Sequence, residues 1–315
     1  MQWSAQAPSN IALIKYMGKK DSSKNLPSNS SLSYTLNNLL STVTLELHTG
    51  TNDRWEPLTT VSQPILHLSP QSQNRFLRHL QRIKQHFDYQ GHFIVRSTNN
   101  FPHGSGLASS ASSFAALTKC AALAFSDLTR TPLLNIDQQA ALSRLGSGSS
   151  CRSFFPQWAL WSEDTTAAIT LPFSDLLHQV IIIDDAEKLI SSSEAHQRVQ
   201  TSHLYPSRYQ RAEENLQALL RALNHQNWKK SYQICWQEFE DMHQLFNTSV
   251  PSFRYMTQKC QDVLQLLQQL WEKEGDGPLV TMDAGPNIHL LYRSEQTEIA
   301  HRFQHDILSN QYNVL

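Results

Sequence analysis

Cysteine is scarce and scattered. Cys120, Cys151, Cys235 and Cys260 are the only four, with no C-x-x-C pair among them. That spacing excludes a disulfide framework or a thiolate metal knuckle and reads as reduced thiols of a cytoplasmic protein. The 14 histidines show no H-E-x-x-H or similar ligand spacing, so no dedicated metal site is expected. Excess charge is missing too, with 26 Lys and Arg against 27 Asp and Glu. Without a polybasic arm, nucleic acid and membrane surfaces are poor partners. No apolar run approaches the roughly 20 residues of a membrane span. The opening MQWSAQAPSN has neither a basic n-region nor an apolar h-region, so no signal peptide is expected. The standard nucleotide loops are also absent. The only Gly-Lys pair, Gly18-Lys19, has Leu13 where a Walker loop needs its first glycine. Both G-x-G starts, Gly104 and Gly146, lack the third glycine of a dinucleotide fingerprint.

What is present centres on FPHGSGLASSASSFAAL, residues 101–117. Gly104 and Gly106 tolerate backbone angles that side chains forbid. They let successive N–H groups converge on an anion where a helix begins. Ser105, Ser109 and Ser110 add hydroxyl donors, and nothing bulky intervenes before Phe114. A polyphosphate, such as that of a nucleotide, fits. A small-residue helix packed closely on a sheet would have the same composition.

At 315 residues the chain has room for one large domain or two ordinary ones. IALIKYM (11–17), STVTLEL (41–47) and HFIVRS (92–97) read as strands. Residues 72–87 carry apolar residues at helical spacing, among them Phe76, Leu80 and Ile83. The polar stretch 50–71, with Pro57, Pro64 and Pro70, reads as a mobile loop, and a helix follows at 136–145 with Asp137 as its expected cap. WALWS, AAITLPF and QVIIIDD are further strands. Three long amphipathic helices occupy 206–225, 228–246 and 252–274. Strands PLVTMD (278–283) and NIHLLY (287–292) then flank a tight Ala284-Gly285-Pro286 turn before a last helix. Segregated strands and helices indicate α+β rather than a doubly wound sheet, with a boundary near Glu187–Ser193.

Four blocks, in order, carry a resemblance. They are AxxxNIALIKYMGKKD with LPSNSSLSYTL (5–36), NNFPHGSGLASSASSFAAL (99–117), LGSGSSCRS (145–153) and TMDAGPN (281–287). Together they resemble the GHMP kinase superfamily, and within it the diphosphomevalonate decarboxylase branch. The resemblance implies a two-domain α+β fold, with a ribosomal protein S5 domain 2-like half over 1–187 and a ferredoxin-like half over 188–315. The active site would lie in the cleft between them. It implies ATP with Mg²⁺ as cofactors, 5-diphosphomevalonate as substrate, and a homodimer. The reaction would be ATP-dependent decarboxylation to isopentenyl diphosphate in isoprenoid biosynthesis. A phosphomevalonate decarboxylase or a mevalonate-type kinase shares these features. A nucleotide-binding pseudoenzyme is the non-enzyme alternative.

Residue by residue, Asp283 ends an apolar strand at a Gly-Pro turn, where rigid backbone would hold a general base. The same placement suits an Asp that organises a turn; the resemblance makes it the catalytic aspartate. Arg152 follows a Ser/Gly-rich run and has the planar fork that grips a carboxylate; the resemblance places it on the C1 carboxylate. Strand alternation would turn Lys15 and Tyr16 to opposite faces. The resemblance carries Lys15 to the transferred phosphoryl, Tyr16 and Lys19 to the substrate diphosphate, and Ser147, Ser149 and Ser192 to the substrate. Asn99, Gly104, Ser105, Gly106, Leu107, Ala108, Ser109 and Ser110 form the implied ATP site. Asn10 and the Ser30-Ser31 pair stand behind or beside the substrate. The chain departs from the family at Met17 (usually Trp), Pro156-Gln157 (usually Gly-Gly), Ala195-His196 (usually Gly-Met) and Ser193, where some members carry Arg. Arg198 or His196 is the expected compensation at the phosphate end.

Overall fold

Residues 31–48, buried continuously over 31–36 and again over 43–45, form one long strand on which the first half is built. The computed structural model describes residues 1–60, 65–101, 109–184, 188–308 and 312–315, without the side chains of 306–308. In chain order the elements begin with β1 (Gln2–Ala12), β2 (Lys19–Asp21), β3 (Leu26–Pro27), β4 (Ser31–His48), β5 (Arg54–Pro57), α1 (Pro70–His86) and β6 (His92–Asn99). There follow α2 (Ser109–Thr129), α3 (Ile136–Arg144), β7 (Trp158–Ser162), β8 (Thr165–Ile169), β9 (Leu177–Ile182) and α4 (Ser192–Arg198). The chain continues with α5 (Arg208–Asn224), α6 (Trp228–Thr248), α7 (Gln258–Glu274), β10 (Leu279–Met282), β11 (Ile288–Tyr292), α8 (Thr297–Arg302) and β12 (Asn313–Val314).

β4 is the spine of the first sheet. It pairs antiparallel with β1 over nearly its whole length, with β6 through 41–48 and with β7 through 31–34. β8 and β5 extend the two ends, β5 running parallel to β6. α2 covers β1 and β4. Its alanines at 111, 115, 116, 121 and 124 are fully buried, so close helix–sheet packing is one consequence of the small-residue run. α1 turns Phe76, Leu80 and Ile83 into the same core. Leu80→Ala should cost about 2–5 kcal/mol of stability. Urea unfolding checks this, and an unchanged midpoint would remove Leu80 from the core.

The second sheet has the order β10-β11-β9-β12, antiparallel throughout. A shared apolar core joins the two halves, with Ile11, Leu13, Leu32 and Trp158 packed among Val180, Leu219, Leu223, Leu279 and Leu291. The α+β expectation holds.

Several local expectations are corrected. The first strand is Gln2–Ala12, not 11–17, because the ladder breaks where Leu13 N and Ile14 N both donate to Leu32 O. The stretch 50–71 contains β5, and Ser69 caps α1 by accepting from Ser72 N. Asn135, not Asp137, caps α3, in a reciprocal box with Gln138. Residues 252–257 precede α7, which Thr257 caps. Glu187, on the expected boundary, lies outside the described residues. β9, well before it, already pairs with β11 of the second sheet.

Candidate active site

A cleft of about 280 Å³ opens between the two sheets, lined by the ends of β1 and β10 and the starts of α2 and α4. Lys15, Lys19, Arg75, Arg152 and Lys188 all line it, against a single carboxylate among the described residues, Asp283. Such a wall is suited to a polyanion.

Lys15 follows β1, and Asp283 follows β10. Their Nζ and Oδ1 are 2.8 Å apart; the lysine side chain is 1% exposed and the aspartate 26%. Burial pushes the Asp283 carboxyl up, and Lys15, His289 and Arg152 more than reverse that. The net result lies below the ordinary carboxylate range. Burial lowers the Lys15 ammonium from its usual value, with Asp283 opposing. The Asp283 backbone is pinned as well, its carbonyl accepting from Gly285 N at 2.8 Å and lying 3.2 Å from His243 Nε2. His243 stays neutral, pushed down to about 4 by burial.

Arg152 sits in the 3₁₀ turn Gly148–Phe154. Its Nε donates to Asn10 Oδ1 at 3.1 Å, its Nη1 donates to Ser31 Oγ, and its guanidinium lies 5.7 Å from the Trp161 ring centroid. Asn10 is itself tied to Ser153 Oγ at 2.8 Å, and Ser31 to Ile14 O at 2.6 Å. Asn10 and Ser31 thus brace Arg152. Ser30 does not join them, its N–H going to Glu213 and its hydroxyl to Ser162.

Tyr16 and Lys15 line the same cleft, contrary to strand alternation, because the chain has left the sheet by then. The Tyr16 ring packs 4.6 Å from Trp161 and 4.3 Å from His196, and its hydroxyl has no partner among the described residues. A Cβ at position 148 would lie 2.7 Å from that hydroxyl, so Gly148 is needed for the approach. Lys19 Nζ donates to Asn25 Oδ1 at 2.7 Å. Ser147, Ser149 and Ser192 line the cleft. Of the implied ATP residues, Ser109 and Ser110 line it at the start of α2, and Ser147 Oγ donates to Ser110 Oγ at 3.4 Å. Asn99 ends β6, with its Oδ1 taking the Ser41 hydroxyl and its buried Nδ2 unpartnered among the described residues. Gly104, Ser105, Gly106, Leu107 and Ala108 lie outside the described residues.

Of the two expected compensating residues, His196 lines the cleft and accepts from Gly18 N at 3.0 Å; burial pushes it down to about 3, so it is neutral. Arg198 is corrected: it pairs with Glu194 and stacks on Phe253. Sequence reasoning missed Arg75, on α1, and Lys188, whose ammonium burial lowers to about 8. The repeated basic positions in the otherwise amphipathic 72–87 helix were the available signal for Arg75.

Among the described residues no group of three His, Cys, Asp or Glu could hold a metal ion. Mg²⁺ is bound through few protein ligands, retained waters and phosphate oxygens. The hydroxyls of Ser109, Ser110 and Ser147 on the cleft wall fit a magnesium–nucleotide complex rather than a bare ion, whereas Asn99 is buried and is not among the residues that line the cleft.

Residues 7–170 match the diphosphomevalonate decarboxylase-like N-terminal domain family, and 179–314 the mevalonate 5-diphosphate decarboxylase C-terminal domain family. The chain belongs to the diphosphomevalonate decarboxylase family. A curated diphosphomevalonate decarboxylase of Gibberella zeae is 30% identical over 94% of this chain and 82% of its own. A crystal structure of a mevalonate diphosphate decarboxylase from Legionella pneumophila is 59% identical, with a TM-score of 0.95 over 100% of both chains. The Enterococcus faecalis mevalonate diphosphate decarboxylase, described for mevalonate diphosphate-mediated ATP binding, is 28% identical with a TM-score of 0.83. That match covers 100% of this chain and 96% of the other. A structure of MDDEF in complex with MVAPP, AMPPCP and magnesium scores 0.86 at 29% identity, over 100% of this chain and 96% of that one. No described helix is long and apolar enough to cross a membrane.

Proposed function

We infer that this chain catalyses ATP-dependent decarboxylation of (R)-5-diphosphomevalonate to isopentenyl diphosphate, with ADP, phosphate and carbon dioxide as co-products. The observation that carries this reading is the Lys15–Asp283 pair, 2.8 Å apart in a cleft that the braced Arg152 also lines. Asp283 orients the tertiary 3-hydroxyl and takes its proton. Lys15, a point charge 2.8 Å away, faces the phosphoryl group being transferred. The guanidinium of Arg152 holds the C1 carboxylate while the 3-phosphate leaves, so the C1–C2 bond is aligned with the positive charge developing at C3. Its electrons then form the new double bond, and carbon dioxide departs. Tyr16, Lys19, Arg75, Ser147, Ser149 and Ser192 hold the substrate's phosphate end and body. Asn99, Ser109, Ser110 and the 104–108 loop receive the nucleotide, whose magnesium neutralises phosphate charge. A homodimer, as the family resemblance implies, and a cytoplasmic location, as the four scattered cysteines suggest, are part of the same proposal. We place the division between halves before Leu177, ahead of the expected 187/188, since β9 pairs into the second sheet.

The test is turnover with ATP and each of the mono- and diphosphate forms of mevalonate. ADP and carbon dioxide should appear in equal amounts from the diphosphate. ADP without carbon dioxide would mean a kinase, and product from the monophosphate alone would reassign the substrate.

Arg75 gives a separate check. It lines the cleft with Tyr16 and Lys19 and donates to Gly146 O at 3.0 Å. A charge-assisted hydrogen bond is worth about 1.5–3 kcal/mol. Arg75→Met should therefore raise KM for diphosphomevalonate roughly tenfold or more, with a smaller change in kcat. A KM unchanged in steady-state assays would place Arg75 outside the substrate site.

A further inference from the structure

The backbone of Lys15 lies past the end of β1, so the sheet ladder supplies no partner for its N–H or C=O. Buried backbone groups must be paired, and here charged side chains from the other half of the molecule do it. Lys15 N donates to Glu238 Oε1 at 2.9 Å, and Arg208 Nη2 donates to Lys15 O at 3.1 Å; Asn29 Nδ2 also donates to that carbonyl, at 3.0 Å. Arg208 and Glu238 grip each other two-fold, and their side chains are 1% and 0% exposed. Asn215 donates to Glu238 Oε2 at 2.7 Å, and Asp241 accepts from both Arg208 and Arg211.

A dry ion pair is an expensive way to satisfy two backbone groups, because desolvation offsets most of its attraction. Neutral amides would serve if satisfaction were the only need. What the charged pair adds is rigidity and a link across the molecule. Glu238 lies on α6, the helix that also carries His243 beside the Asp283 carbonyl. One helix therefore fixes the backbone of both Lys15, from the first half, and Asp283, from the second. The cleft pair is set by a common support.

We propose that Arg208 and Glu238 are positioning residues for Lys15, clamping its backbone so that its ammonium meets Asp283 and the transferred phosphoryl in register. The clamp rests on the catalytic reading of Lys15 given above. It predicts an effect on the chemical step and little on substrate affinity, since neither residue lines the cleft. Displacements of about 1 Å at a reacting group can cost roughly 100-fold.

Three variants test it. Arg208→Lys keeps the charge but cannot reach Glu238, Asp241 and the Lys15 carbonyl together. Its kcat should fall about tenfold, with KM for ATP and diphosphomevalonate within about twofold of wild type. Arg208→Met/Glu238→Leu removes both charges, which buried pairs can tolerate, but it also leaves the Lys15 N–H without its acceptor, so it should melt below wild type. Its kcat should fall roughly 10- to 100-fold, further than that of Glu238→Gln at a comparable melting temperature. Glu238→Gln keeps an acceptor for Lys15 N–H while unbalancing Arg208. It should also melt below wild type, yet be the most active of the three. The inference is overturned if kcat simply follows melting temperature across the variants, or if Arg208→Lys and the double variant retain wild-type kcat. Should the double variant fail to fold, the comparison of Arg208→Lys with Glu238→Gln decides alone. Wild-type enzyme that releases no carbon dioxide would instead sink the decarboxylase reading.

Discussion

Asp283→Asn is expected to fold, bind nucleotide and lose nearly all turnover. The amide keeps the size of the carboxylate but carries no charge and accepts no proton. A positioned base contributes on the order of 10²–10⁴ in rate. The variant also leaves Lys15 Nζ, 1% exposed, without its anionic partner at 2.8 Å. Two effects therefore act together: the hydroxyl loses its proton acceptor, and the ammonium loses the charge that orients it. Nucleotide affinity should survive, because the implied phosphate contacts come from the start of α2 and the loop before it. Activity above about a tenth of wild type would remove Asp283 from the base role. The wild-type pH profile carries the same argument. Asp283 is held below the usual carboxylate range by Lys15, His289 and Arg152 against the opposing effect of burial. The carboxylate, and the stability its pairing contributes, is thus fully present above the unfolded value of about 4 and lost only as pH falls through the lower folded value. The acid limb of kcat/KM should lie below that of an unperturbed aspartate. A limb well above pH 5 would assign it to another group.

Much of this was legible in the residues, and the exceptions share a cause. β6, β7, α5, α6 and the β10–β11 hairpin stand where β-branched runs and helical periodicity put them, because local pattern and tertiary need agree there. β1 starts nine residues before the expected strand and ends five residues before it does, since Gln2–Ala7 carry few β-branched or apolar residues and the apolar run 11–14 crosses from strand into core. Its termination depends on a distant strand, through Leu32 O, which no local window contains. The cleft itself was foreseen in Lys15, Arg152 and Asp283, whose motifs are local. Arg75, Lys188, Arg208 and Glu238 were not, because their roles arise from packing across long stretches of chain. Arg198 was misjudged for the opposite reason. It lies close in sequence to the cleft serines, but an i,i+4 partner, Glu194, holds it on the far side of a short helix.

Arg152→Lys is expected to cost roughly 100-fold in turnover while KM for diphosphomevalonate rises only modestly. The arginine is held on two sides, by Asn10 Oδ1 at Nε and by Ser31 Oγ at Nη1, with the Trp161 ring 5.7 Å from its centre. These contacts fix the plane of the fork, and the plane is what a departing carboxylate requires. As the 3-phosphate leaves, charge at C3 is quenched only if the C1–C2 bond stands parallel to the empty orbital. A lysine keeps one positive charge, so attraction for the carboxylate persists and ground-state binding suffers little. It cannot hold Asn10, Ser31 and the carboxylate in one plane, so the loss falls on the step in which that bond breaks. The phosphate end of the substrate, with Lys19, Arg75 and Tyr16 nearby, supplies most of the affinity in this reading. Asn10→Ala, which leaves the guanidinium in place but removes one brace, should give a smaller fall of the same kind. Single-turnover measurement of ADP and carbon dioxide separates the steps. In Arg152→Lys, ADP formation should outpace carbon dioxide release if the fork acts after phosphoryl transfer. Equal slowing of both would put Arg152 in substrate placement before transfer, and a large rise in KM with kcat intact would reduce it to a binding residue.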